Sequence, residues 1–222
     1  MRYWHIGLCA VVLSLSLGCP GQGDLSRWGW AFATSSNFQD SGTGGACGVR
    51  PGSSDGYDSS DFRITPGPKA YLGTYHEDGV DGWDGPTGFY CMDFREPPPP
   101  VQGFSKTWTI YVWADPTLGP TANKISFSWT VAAIYGVPSE VDVWLTFTRK
   151  PEGVAGGPAV GTAWHLSQVP NGGVELPVFR ASDGRTGYVF DFTATVIPEP
   201  SSLAALGLAL AGVGIGVARR RR

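Results

Sequence analysis

Four stretches of the chain alternate apolar and polar residues with a period of two, and that alternation restricts the fold more than any other feature. In 106–114, Trp108, Ile110, Val112 and Ala114 fall on one side and Thr107, Thr109, Tyr111 and Trp113 on the other. The stretch 124–133 sets Ile125, Phe127, Trp129 and Val131 against Lys124, Ser126, Ser128 and Thr130. The same pattern returns in 140–149 with Val141, Val143, Leu145 and Phe147, and in 187–196 with Tyr188, Phe190, Phe192, Ala194 and Val196. Successive strand side chains point to opposite faces, so each stretch predicts a half-buried antiparallel strand. Less regular strands are predicted at 28–33, 69–75, 88–95, 162–166 and 174–179. No segment of the body holds a 3.6-residue period over three turns, and the connections are dense in Gly, Pro, Ser and Asp. About eight to nine such strands fit an all-β fold, an antiparallel β-sandwich, with a partly open barrel as the alternative. The run Glu96-Pro97-Pro98-Pro99-Pro100 lacks ladder donors and reads as a stiff extended connection.

Both ends fall outside this pattern. Residues 1–23 have the layout of a secretory signal peptide: Arg2, an apolar stretch from Ile6 to Leu17, then the small and turn-forming run Gly18-Cys19-Pro20-Gly21. Leu15-Ser16-Leu17-Gly18-Cys19 is similar to a lipoprotein cleavage box except at Ser16, and plain cleavage without a lipid on Cys19 is the favoured reading. The body is therefore 24–197, and 198–222 forms a separate tail. The body holds 11 Lys and Arg against 18 Asp and Glu, a net charge of −7, which argues against nucleic acid as a partner. Its two cysteines, Cys47 and Cys91, in an exported chain predict a disulfide.

Candidate chemistry is sparse. "DGYDSSD" and "DGVDGWD" repeat aspartate every third residue, as Asp55, Asp58, Asp61 and as Asp78, Asp81, Asp84. Hard oxygen ligands on flexible loops suit calcium, the one cofactor considered; Asp-Gly turn chemistry is the competing and favoured explanation. His76 and His165 come with no Gly-x-Ser-x-Gly elbow and no His-Glu-x-x-His, so no catalytic residue is assigned and the body is read as non-enzymatic. Trp113 and Trp144 fall on the polar-patterned faces of their strands, where flat rings suit stacking on sugars. An extracellular carbohydrate-binding module, or a carbohydrate-active enzyme using two opposed carboxylates, is the alternative reading.

The tail has three parts in order: Pro198-Glu199-Pro200, the apolar run 203–218, and Arg219, Arg220, Arg221 and Arg222. It resembles the PEP-CTERM sorting signal of exported proteins of Gram-negative bacteria. As a helix, the 16 residues of the apolar run would extend about 24 Å, slightly short of a ~30 Å hydrocarbon core, and the arginines would hold its end in the cytoplasm. The resemblance implies recognition by an exosortase-type membrane protease that cuts near Pro-Glu-Pro. The chain is then anchored in the inner membrane before processing, and afterwards reaches the cell surface or extracellular matrix, with exopolysaccharide as the expected contact. A second resemblance concerns the body. "SDGYDSSD", "FYCMDFR", "KTWTIYVW" and "ISFSW" look like a β-sandwich module of bacterial surface and secreted proteins. It implies scaffold roles for Asp55, Asp58, Asp93, Arg95, Lys106 and Trp108, with Asp93 or Asp58 holding Arg95.

Overall fold

The computed structural model describes residues 26–37, 42–64, 67, 69–97, 104–131, 138 and 140–196. The expected signal peptide, the Pro-Glu-Pro segment and the apolar tail helix lie outside these residues. Among the described residues, no helix is long and apolar enough to cross a membrane.

Among the described residues, eleven strands follow one another: β1 (Trp28–Ser36), β2 (Gly44–Val49), β3 (Phe62–Arg63), β4 (Ala70–His76), β5 (Gly88–Arg95), β6 (Phe104–Ala114), β7 (Lys124–Val131), β8 (Val141–Arg149), β9 (Ala163–His165), β10 (Gly172–Pro177) and β11 (Tyr188–Val196). One 3-10 turn, Gly184–Thr186, precedes the last strand. The alternating stretches became β6, β7, β8 and β11, with the apolar faces inward as the period requires.

The expected two-sheet sandwich is corrected. All strands belong to one sheet, ordered β10-β7-β1-β2-β5-β4-β6-β11-β8-β9 with β3 on β5, and the sheet curls into a half-barrel. This is nearer to the partly open barrel. Curling lays β1 and β7 over β11, where Phe32 meets Phe192 at 5.3 Å, Trp30 meets Phe192 at 6.1 Å and Phe127 meets Phe190 at 4.5 Å between ring centroids. Each large apolar side chain sealed there contributes about 1.5–3 kcal/mol.

The link between the two halves was not legible. It is β2 lying parallel to β5, from Ala46 opposite Met92 to Val49 opposite Arg95, in a sheet expected to be wholly antiparallel. β2 reads Gly-Gly-Ala-Cys-Gly-Val and has no side-chain alternation to betray a strand. Its glycines serve close approach instead: a Cβ on Gly45 would come within 2.0 Å of the Cys91 carbonyl oxygen, and one on Gly48 within 2.2 Å of that of Trp28.

The predicted Cys47–Cys91 disulfide is also corrected, since both cysteines are free. The register places Cys47 opposite Asp93, two residues beyond Cys91. Two residues of rise combined with one strand spacing separate the Cα atoms by about 8 Å, outside the reach of a disulfide. Cys47 is buried in the core, and burial, then the Asp93 charge, pushes its thiol well above the usual range. Cys91 donates its thiol to the Phe62 carbonyl at 3.3 Å.

Candidate functional site

The two acidic loops pack against each other, yet their carboxylates disperse into turns. Asp58 accepts the backbone N–H of Ser54 at 2.7 Å and of Ser60 at 2.6 Å, and Asp61 accepts that of Asp58 at 2.8 Å. Asp84 crosses to the other loop and accepts the Tyr57 N–H at 3.2 Å. Asp55 accepts the Glu96 N–H at 3.1 Å and pairs with Lys106. Asp81 sits in the left-handed region at φ 54°, and the Asp78 N–H donates to Thr87 Oγ1 at 3.0 Å. Of the repeat, Asp58 and Asp61 close their own turn, while Asp84 and Asp55 tie their loops to other segments. Among the described residues, no three His, Cys, Asp or Glu side chains gather as metal ligands.

Behind these loops lies a cluster that the sequence did not announce. The Asp93 carboxylate, almost fully buried, accepts the His76 Nε2–H at 2.9 Å and the Arg95 Nε–H at 3.3 Å. Burial pushes this carboxyl up, but the bond from His76 and the Arg95 charge outweigh it and leave it below its ordinary value. His76 lies flat on Trp83, 3.8 Å between centroids at 8°, and Tyr90 meets Trp83 at 4.9 Å. Arg95 in turn lies over Trp108 at 5.0 Å. Of the two expected holders of Arg95, Asp93 and not Asp58 takes that place; the pairing of Asp55 with Lys106 was not among the expectations. Asp61 completes the cluster. It is 8 % exposed, its Oδ1 finds no partner among the described residues, and burial, with the nearby Asp93 and Asp58 charges, raises its carboxyl to about 7. His76 sits 17 residues from Asp93, with no local period linking them.

Trp113 and Trp144 are not brought together. Both neighbour β11, but Trp144 is level with Thr193 and Thr107, six residues along β6 from Trp113, or about 20 Å of strand. Trp113 is 6 % exposed, stacked on Tyr71 at 5.1 Å, and so close to Gly184 that a Cβ there would come within 2.7 Å of the indole. A cleft of about 630 Å³ opens beside it, walled by Tyr71 and Phe89 with Arg63, Asp115 and Ser182 among its polar groups. At 6 % exposure, with Tyr71 and Gly184 against it, the ring offers no open face.

Trp144 is the reverse case at 40 % exposed. His165, its cross-strand partner on β9, stacks against it at 4.5 Å and 13°, and the Trp144 Nε1–H donates to Asp142 at 3.0 Å. His165 Nε2 also bonds Asp142. The row continues across the outer face as Trp144, Thr193 and Thr107, with Thr193 and Thr107 hydroxyls 3.0 Å apart. Adjacent rows hold Asp142, Thr195 and Ser105 on one side and Thr146, Asp191 and Thr109 on the other. The result is a hydroxyl-bearing surface with one fixed indole at its margin.

β11 ends at Val196, an interior strand paired there with Phe104 and Val141. Residues 196–222 match the family described as the PEP-CTERM protein-sorting motif. The chain carries a PEP-CTERM sorting signal. It thereby belongs with exported proteins handled by an exosortase-type membrane enzyme. No curated protein and no solved structure matches the chain. The PEP-CTERM segment starts on the last residue of the last strand, so body and signal abut without a linker. Pro198, Glu199, Pro200 and Arg219 to Arg222 all fall within the match and outside the described residues.

Proposed function

We propose that the body, once exported, is a non-enzymatic component of the cell surface or extracellular polymer matrix, in contact with exopolysaccharide. The observation that carries this reading is the sorting motif at 196–222, an address for the envelope. In sequence, the signal peptide is removed, the apolar run 203–218 holds the chain in the inner membrane with the arginines in the cytoplasm, and a cut near Pro198-Glu199-Pro200 releases the body. Pro198 and Pro200 lack the N–H donors that a strand ladder needs, a chemistry that opposes strand pairing at the cleavage zone.

A non-enzymatic role is supported by the placement of the body's histidines. Each of His76 and His165 is stacked on a tryptophan and bonded to an aspartate. A glycosidase needs two carboxylates opposed across a cleft, whereas the cleft beside Trp113 has Asp115 as its one acidic wall residue among the described residues. The test of sorting is replacement of Pro198 and Glu199 by alanine in the native host. The variant should stay at full length in the inner membrane on an immunoblot of fractionated cells; unchanged size and location would overturn the reading.

A further inference from the structure

We propose that the outer face of β8, β11 and β6 around Trp144 is a binding surface for a neutral polysaccharide chain. The inference rests on the reading of the body as a matrix component and names its contact. Trp144 is the exposed indole of this face, and it is fixed before any ligand arrives: His165 backs the ring and Asp142 takes its N–H. A ring so held loses little entropy on stacking against the apolar face of a pyranose. From Trp144 the row runs over Thr193 to Thr107, two strand spacings or about 10 Å, which offers hydroxyls to the next sugars of a linear chain.

Charge selects the class of polymer. The three rows contain Asp142 and Asp191 but neither Lys nor Arg, so an anionic polymer meets like charge there while a neutral one does not. Large apolar side chains other than Trp144 are missing from these rows, which does not suit a protein partner needing a desolvated centre. The geometry differs from a sugar platform built on paired tryptophans, since Trp113 is about 20 Å of strand away and covered.

The experiment is affinity electrophoresis of the full-length protein in detergent, through gels containing hydroxyethylcellulose, β-1,3-glucan, galactomannan or alginate. At least one neutral polymer should retard the protein, alginate should not, and Trp144→Ala and Thr193→Val should each weaken retardation at least tenfold while their urea midpoints stay near the parent's. Absence of retardation by every neutral polymer, retardation by alginate alone, or equal retardation of parent and both variants overturns the proposal. Fractionation of the host matrix separates this from the broader reading. Parent and Trp144→Ala held equally in the polysaccharide fraction sinks the surface and leaves the matrix role. A parent that misses that fraction, yet is retarded in the gel through Trp144, sinks the matrix role and leaves the surface.

Discussion

The body contains the same three side chains arranged twice, and the two copies differ in burial. In one, His76 lies on Trp83 and bonds Asp93; in the other, His165 lies on Trp144 and bonds Asp142. Trp83 is 3 % exposed and roofed by the acidic loops, whereas Trp144 is 40 % exposed on an open sheet face. Asp93 further anchors Arg95 against Trp108, tying its trio to the core, while Asp142 answers only to its own neighbours His165 and Trp144 among the bonds described. Identical chemistry therefore makes a clamp where water is excluded and a presented surface where it is not. An ion pair gains or loses weight by its surroundings, and a stacked ring binds a ligand only where one face remains open.

The sharpest way to break this contrast is to delete matching members. Asp93→Ala leaves His76 and Arg95 without their buried counter-charge and should cost about 3–5 kcal/mol, and Trp83→Ala a similar amount through the cavity it leaves. Both are read from urea midpoints. Asp142→Ala, at the partly exposed equivalent, should cost no more than about 1 kcal/mol. Equal losses at Asp93 and Asp142 would erase the distinction.

The next effect is pH dependence in the buried copy. Asp61 titrates at about 7 in the folded chain against an ordinary 3.8, so the folded state keeps a proton that the unfolded state has lost between those values. The stability present below pH 4 is then lost as pH rises towards 7. Asp61→Asn should flatten urea midpoints over that window. Asp93 acts with opposite sign, because its carboxyl is depressed: its contribution disappears as pH falls through its folded value. A parent whose stability does not fall from pH 4.5 to 7.5 contradicts the burial of Asp61.

Smaller effects refine the picture. Trp144→Ala should shift stability by less than about 1 kcal/mol, as a surface change does, and a larger loss would make it a second clamp. Last, a thiol reductant should leave the melting temperature unchanged, because Cys47 and Cys91 are not joined. A fall on reduction would restore the bridge.

Much of the fold was legible. The stretches with strict alternation all became strands with the expected inner faces, and even the weaker candidates at 28–33, 69–75, 88–95, 162–166 and 174–179 overlap β1, β4, β5, β9 and β10. What escaped was β2, whose Gly-Gly-Ala-Cys-Gly-Val offers close approach in place of side-chain pattern, and β3, only two residues long. In the candidate sites, Asp93 was one of two carboxylates expected to hold Arg95, the Asp55–Lys106 pair was not foreseen, and Trp144 was singled out by its place on a polar face. Trp113 had the same signature and met a different fate, because Tyr71 from β4 and the turn at Gly184 come over it from elsewhere in the chain.

Sequence alone determined the all-β character, the inward sets of side chains and the address at 196–222, because a two-residue period and an ordered terminal motif are local properties. Tertiary structure alone decided that one sheet curls where two were expected, that Cys47 faces Asp93 rather than Cys91, and that one His–Asp–Trp trio is sealed while its twin is open. Those outcomes depend on the register between strands far apart in the chain and on which loop falls across which face. No window of neighbouring residues encodes either.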